Sequence, residues 1–194
     1  MVAFVKIALN VLTLNAISAS DVQSFQYYQV NNTDCQEQRS MKQNSEAQHG
    51  QIVAISVSRQ KGVKKTNTKV GRLETNYGIQ GDAHGGSWHR QLSLLDMQSI
   101  TKIKEQGLPV RPGDFAENIT TTGLKLWKLP IGTRLRLGKV AVVEVTQIGK
   151  ECHSRCAIYH QVGDCVMPRE GIFARVLKGG IVAPGDEIRA ISKV

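Results

Sequence analysis

Apolar residues in this chain come in short runs broken by glycine, proline and basic turns, and the first clear run begins near residue 50. Residues 52–58 (IVAISVS) alternate apolar and small side chains, the period-two pattern of a strand, and residues 70–74 repeat it over a shorter stretch. Between them residues 61–69 form a polar, basic turn region, and residues 77–87 (YGIQGDAHGGS) read as a glycine-rich loop. Residues 91–95 predict a further strand. Asp96 then stands where a helix N-cap belongs, so a helix is expected from Met97 to about Gln106, ended by Gly107. Residues 109–114 turn, and residues 115–121 are strand-like.

The second half continues the pattern. Residues 126–129 lead into a turn at 130–132, and residues 134–137 (RLRL), Gly138 and residues 140–146 (VAVVEVT) predict a hairpin. Residues 172–177 (IFARVL) predict a short helix with Phe173, Val176 and Leu177 on one face, stopped by Gly179 and Gly180. Residues 181–182 and 187–191 predict a last strand pair around the turn at 184–186. Many short strands and few short helices point to a mainly β, twisted barrel-like domain. No segment repeats.

Upstream the character differs. Residues 1–20 have Lys6, an apolar stretch interrupted by Asn10, Thr13 and Asn15, and small residues at 16–20, which is a weak signal-like pattern too short and polar for a membrane span. Residues 21–49 are rich in Gln, Asn and Ser without apolar period; they are expected to be disordered and to make no core contacts. The expected division is therefore residues 1–49, either a targeting segment or an extension ahead of a later start at Met41, and a domain over residues 50–194. The latter option places the protein in the cytoplasm; a true targeting signal would place it in an organelle or outside the cell.

Composition narrows the function classes. With 194 residues, 41% hydrophobic, the chain supplies one ordinary core. The formal charge of +9 is unevenly placed: residues 1–49 hold three basic and four acidic residues, the remainder 22 and 12. A basic domain attracts anions. No zinc-finger spacing, aromatic-rich RNA-binding strand or recognition helix is present, so nucleic acid is not the expected partner, nor is a membrane.

Chemistry concentrates at residues 149–156 (GKECHSRC), directly after an apolar strand. Lys150, His153 and Arg155 surround Cys152, and nearby cations favour the thiolate, which is both nucleophile and metal ligand. Cys152, Cys156 and Cys165 with His153 or His160 also fit a zinc site, although one close pair and a straggler is not the usual two-pair spacing. A disulfide between Cys152 and Cys156 requires their Cα atoms to lie close together. In residues 81–86 (GDAHGG) glycines expose backbone N–H groups around His84, as a ligand-cradling loop or an ordinary turn does. Trp88, His89 and Arg90 add a stacking surface and a cation. Asn118 offers donor and acceptor together, suited to a pterin edge or to local backbone. Arg175, off the apolar face of the expected helix, is a candidate anion contact.

Taken in order, GDAHGG, RQLSLLD, PGDFAENITT, GKECHSRC, GDCVMPREGIFARVLKGG and GDEI resemble the MOSC family, named for the C-terminal domain of molybdenum cofactor sulfurases, over about residues 50–194. The resemblance implies a β-barrel-like fold and a molybdopterin-type molybdenum cofactor. It makes Cys152 the catalytic thiolate and metal ligand; some members carry a C-x-R-C form, to which Cys156 also answers. His84, Arg90, Asn118, Lys150, Arg155 and Arg175 become the expected cofactor contacts. Two activities follow: reduction of N-hydroxylated compounds at cysteine-bound molybdenum, or non-catalytic carriage of sulfur or cofactor to a partner. The expected partners are the cofactor itself and an electron-donor or cofactor-maturation protein. No counterpart of the sulfurases' pyridoxal-phosphate domain is visible, so pyridoxal phosphate is not expected on this chain.

Overall fold

The computed structural model describes residues 49–152 and 157–191. The expectations for residues 1–48, and those for His153, Arg155 and Cys156, lie outside the described residues. The elements in chain order are β1 (His49–Val57), β2 (Thr66–Thr68), β3 (Gly71–Glu74), β4 (Gly78–Ile79), β5 (Leu92–Asp96), α1 (Met97–Glu105), β6 (Ile119–Thr122), β7 (Arg134–Leu137), β8 (Ala141–Ile148), α2 (Ala157–Val162), α3 (Met167–Glu170), β9 (Ile172–Lys178), β10 (Gly180–Val182) and β11 (Glu187–Ile191).

Seven strands close a barrel in the order β1-β11-β7-β8-β9-β5-β6, with β6 returning to β1. β2 extends the sheet beside the C-terminal half of β1, and β10-β3-β4 form a small second sheet. Among the described strands only β5 and β6 pair in parallel, because α1 carries the chain between them; the other pairings are antiparallel. Register breaks between Ile52 and Ala54, and along β8 at Val142/Val143 and Val145/Gln147, supply the bends that closure needs.

The barrel interior holds fully buried Ile52, Ile55, Leu92, Leu94, Ile119, Leu135, Leu137, Val143, Val145, Ile172 and Val176. Each such side chain contributes about 1.5–3 kcal/mol relative to exposure. A second cluster, including Leu95, Ile100, Ile103, Ile158, Val166, Met167 and Phe173, packs the helices outside the barrel. The alternating burial of β7 (Leu135 and Leu137 in, Arg134 and Arg136 out) is the period-two pattern realised.

Residues 172–177 are strand, not helix. Ile172, Ala174 and Val176 point into the barrel, and the segment pairs with β8 on one side and β5 on the other. Phe173 faces the second cluster instead, so apolar residues lie on both faces and imitate a helical stripe. The buried Gln91 side chain accepts the Val176 N–H at 2.8 Å. The strand expected from residue 115 begins at Ile119. Ala116 adopts φ 61°, and the buried Glu117 carboxylate accepts N–H groups from Gly113 and Phe115 and the Thr120 hydroxyl, fixing a turn there. Between residue 156 and β9 the chain forms two short helices, α2 and α3.

Candidate anion cavity

Four of the expected residues line one cavity of about 190 Å³: His84, Arg90, Asn118 and Lys150. Arg90 follows the glycine-rich loop. Its guanidinium lies 5.0 Å from the centroid of the Trp88 ring and 5.7 Å from that of Phe173. Two aromatic contacts of this kind each contribute about 0.5–2 kcal/mol, and they hold the cation without neutralising it. The Arg90 Nε is buried and has no hydrogen-bond partner among the described residues.

His84 is held from behind. The Lys65 ammonium and the Asp82 carboxylate form an ion pair at 2.5 Å, with side chains 1% and 0% exposed. The His84 Nδ1 lies 3.3 Å from Asp82 Oδ1 and 3.4 Å from Lys65 Nζ. Asp82 also accepts backbone N–H groups from Ser58 and His84. Burial pushes its carboxyl up, but hydrogen bonding to His84 and Lys65 outweighs this and holds it well below the usual carboxylate range. Burial pulls the Lys65 ammonium below the ordinary lysine value, against the bond to Asp82, and the Lys150 charge acts in the same direction as burial.

Asn118 lines the cavity, yet its amide serves the barrel wall. Its Oδ1 accepts from the Ser93 N–H and hydroxyl, and its Nδ2 donates to Ser56 O. Lys150 is placed by Gly149, which sits at φ +67° where an added Cβ would collide with the Pro168 carbonyl, and whose N–H donates to Gly171 O at 2.7 Å. Two residues beyond Lys150, Cys152 is an exposed free thiol. Cys165, by contrast, is 7% exposed and belongs to the second hydrophobic cluster. Among the described residues no group of three or more His, Cys, Asp or Glu converges as for a metal ion.

Arg175 is not at this cavity. Opposite Glu144 in the β8–β9 register, it pairs with that carboxylate at 2.8 Å and lines a separate, larger cavity of about 730 Å³. Sequence reasoning expected a helix here and so misplaced the side chain. It also missed Lys65, one of several lysines in a basic turn that only burial singles out, whereas Asp82 stood within the GDAHGG motif.

The MOSC domain model matches residues 81–189, more than half of the chain. The chain belongs to the MOSC domain family. Solved structures similar to this MOSC domain include the YuaD protein of Bacillus subtilis, with 18% identity, TM-score 0.63, and 75% of this chain and 97% of that one covered. YiiM of Geobacillus stearothermophilus is similar at 22% identity and TM-score 0.55, over 74% and 75% of the two chains. YiiM of Escherichia coli gives 19%, 0.54, and 75% and 71%. At these identities the likeness is one of fold. No curated protein matches the chain. Among the described residues no helix is long and apolar enough to cross a membrane.

Proposed function

We propose that this MOSC domain binds a molybdopterin-type molybdenum cofactor and acts in the reduction of N-hydroxylated compounds. The observation that carries this is Arg90: a guanidinium packed against two rings, its Nε buried beside a cavity and without a hydrogen-bond partner among the described residues. Lys150 lines the same cavity, and among the described residues no carboxylate does. Such a site fits an anionic group. At about 190 Å³ it falls below the roughly 300–1,000 Å³ of whole-ligand pockets, so it suits the phosphate end of a cofactor whose remainder lies outside.

Arg90 and Lys150 would hold that phosphate, and Cys152, exposed and soft, would bind the metal. The bound cofactor supplies two-electron chemistry. In the overall reaction the N–O bond breaks, two electrons arrive from an electron-donor protein, and two protons are taken up as the N–H product and water form. The exposure of Cys152 favours a second reading, in which the thiol carries sulfur as a persulfide to a partner.

Protein made in a host that synthesises molybdopterin is expected to carry molybdenum and pterin in near-equal amounts. Arg90→Met should lower that loading at least about tenfold, the loss of one charge-assisted contact, with the fold retained by circular dichroism. One zinc per chain and no pterin would remove the proposal. Bound cofactor without reduction of a hydroxylamine-type substrate would favour the carrier reading.

A further inference from the structure

The backbone of His84 is held on both sides. Its N–H donates to Asp82 Oδ1 at 3.0 Å, and its carbonyl accepts the Trp88 indole N–H at 2.8 Å. The ring lines the anion cavity with Arg90 and Lys150. Its Nδ1 meets the Lys65–Asp82 pair, and no hydrogen bond to Nε2 is formed among the described residues. Nε2 is therefore the ring atom left for a ligand.

Behind Nδ1 stand both an acceptor and a donor, Asp82 Oδ1 at 3.3 Å and the Lys65 ammonium at 3.4 Å. A neutral imidazole carries one proton, and the nitrogen without it accepts. With the proton on Nδ1, the ring donates to Asp82 and offers the cavity a lone pair. With the proton on Nε2, Lys65 donates to Nδ1 and the ring offers the cavity an N–H. Neither arrangement strands a buried group. The ammonium has three donors and uses one on Asp82 Oδ2. Without the ring, Asp82 keeps that bond and the backbone N–H groups of Ser58 and His84. Both bonds to Nδ1 are charge-assisted, so the two tautomers are close in energy and a ligand at Nε2 selects between them.

We propose that Lys65 and Asp82 are positioning residues of the anion cavity, which act through His84 and let its neutral ring turn an N–H to a bound phosphoryl group. The proton on Nδ1 leaves to solvent and Nε2 takes one from solvent, so net protonation is unchanged. The His84 side chain is 28% exposed, which admits the water this exchange needs. The other charges around the ring are Arg90 and Lys150 on the cavity wall, and Glu117, whose charge acts on Lys65. The inference rests on the reading of this cavity as a phosphate site.

The test uses the isotopically labelled full chain without cofactor and inorganic sulfate, a phosphoryl isostere that stays fully ionised near neutral pH and so brings no proton of its own. The chain has five histidines, and His84→Gln assigns the His84 ring in long-range proton–nitrogen correlation spectra. Both tautomers should contribute to the free ring, and saturating sulfate should drive it to the Nε2–H form. The heat of binding should be the same in buffers of different ionisation enthalpy. Lys65→Met leaves Asp82 as the partner of Nδ1, so the proton should stay on Nδ1 and the affinity fall roughly three- to tenfold, the worth of one hydrogen bond. Should that variant fail to fold, the wild-type spectra and heats still decide. A ring that keeps one tautomer throughout, a doubly protonated ring with buffer-dependent heat, or no saturable binding would overturn the inference. The tautomer change in a chain that never takes up molybdenum and pterin would uphold it and remove the reductase reading. Cofactor loading beside a ring that never changes would do the reverse.

Discussion

Arg90 illustrates how a single residue acquires chemistry from its surroundings. In sequence it is one of 25 basic residues; in the fold its buried Nε has no hydrogen-bond partner among the described residues, whereas Arg175 pairs with Glu144. The cysteines divide in the same manner. Cys152 is exposed and Cys165 is packed among apolar side chains. In the folded protein iodoacetamide should therefore modify Cys152 quickly and Cys165 only on unfolding, as read by peptide mass mapping. Cys152→Ser should abolish molybdenum retention or sulfur transfer and leave stability within about 0.5 kcal/mol, as for surface changes generally. Cys165→Ser should cost about 1–3 kcal/mol by burying a hydroxyl. Equal alkylation of both thiols in the native state would contradict the assignment.

At the scale of elements, α1 shows a cap placed where charge is unwelcome. Asp96 accepts the Gln98 N–H at 2.7 Å, as its position in sequence predicts, but it is also buried. Burial raises its carboxyl, the Glu170 charge adds to this, and the cap bond and Lys102 oppose it. A carboxyl raised on folding contributes most below its unfolded value, and that contribution is lost as pH rises through the folded value. Asp96→Asn keeps the cap acceptor and removes the charge. Its stability relative to the wild type should therefore rise between pH 4 and pH 8 in urea unfolding at the two pH values. A difference independent of pH would refute the argument. β9 carries the complementary lesson: with apolar residues on both faces, periodicity cannot distinguish strand from helix, and the ladder with β5 and β8 decides.

For the molecule as a whole, a buried ion pair ties together two loops that are separate along the chain. The Lys65–Asp82 pair joins the segment after β1 to the glycine-rich loop, with Ser58 and His84 donating to the same carboxylate. Asp82→Asn strands a buried ammonium, so a loss of about 3–5 kcal/mol is expected at pH 7. Because Asp82 is held below the usual carboxylate range, its contribution is present above the ordinary value and declines as pH falls toward the folded one. The gap between variant and wild type should begin to close below about pH 4. Chemical denaturation across pH 3–7 checks this; a gap that widens in acid would show that the pair is not the origin.

The sequence by itself determined the mainly β class, the α1 cap, the β7–β8 hairpin and the family, because short-range alternation, turn glycines and an ordered set of motifs are local properties. It also named His84, Arg90, Asn118 and Lys150. What it left undecided depends on partners distant along the chain. Whether a lysine is free or buried against Asp82, whether an arginine is neutralised, whether Asn118 serves a ligand or the strands, and which face of β9 meets the core are settled only when barrel closure brings separated segments within hydrogen-bonding distance. Charge and polarity are properties of a residue; whether they are satisfied is a property of the fold.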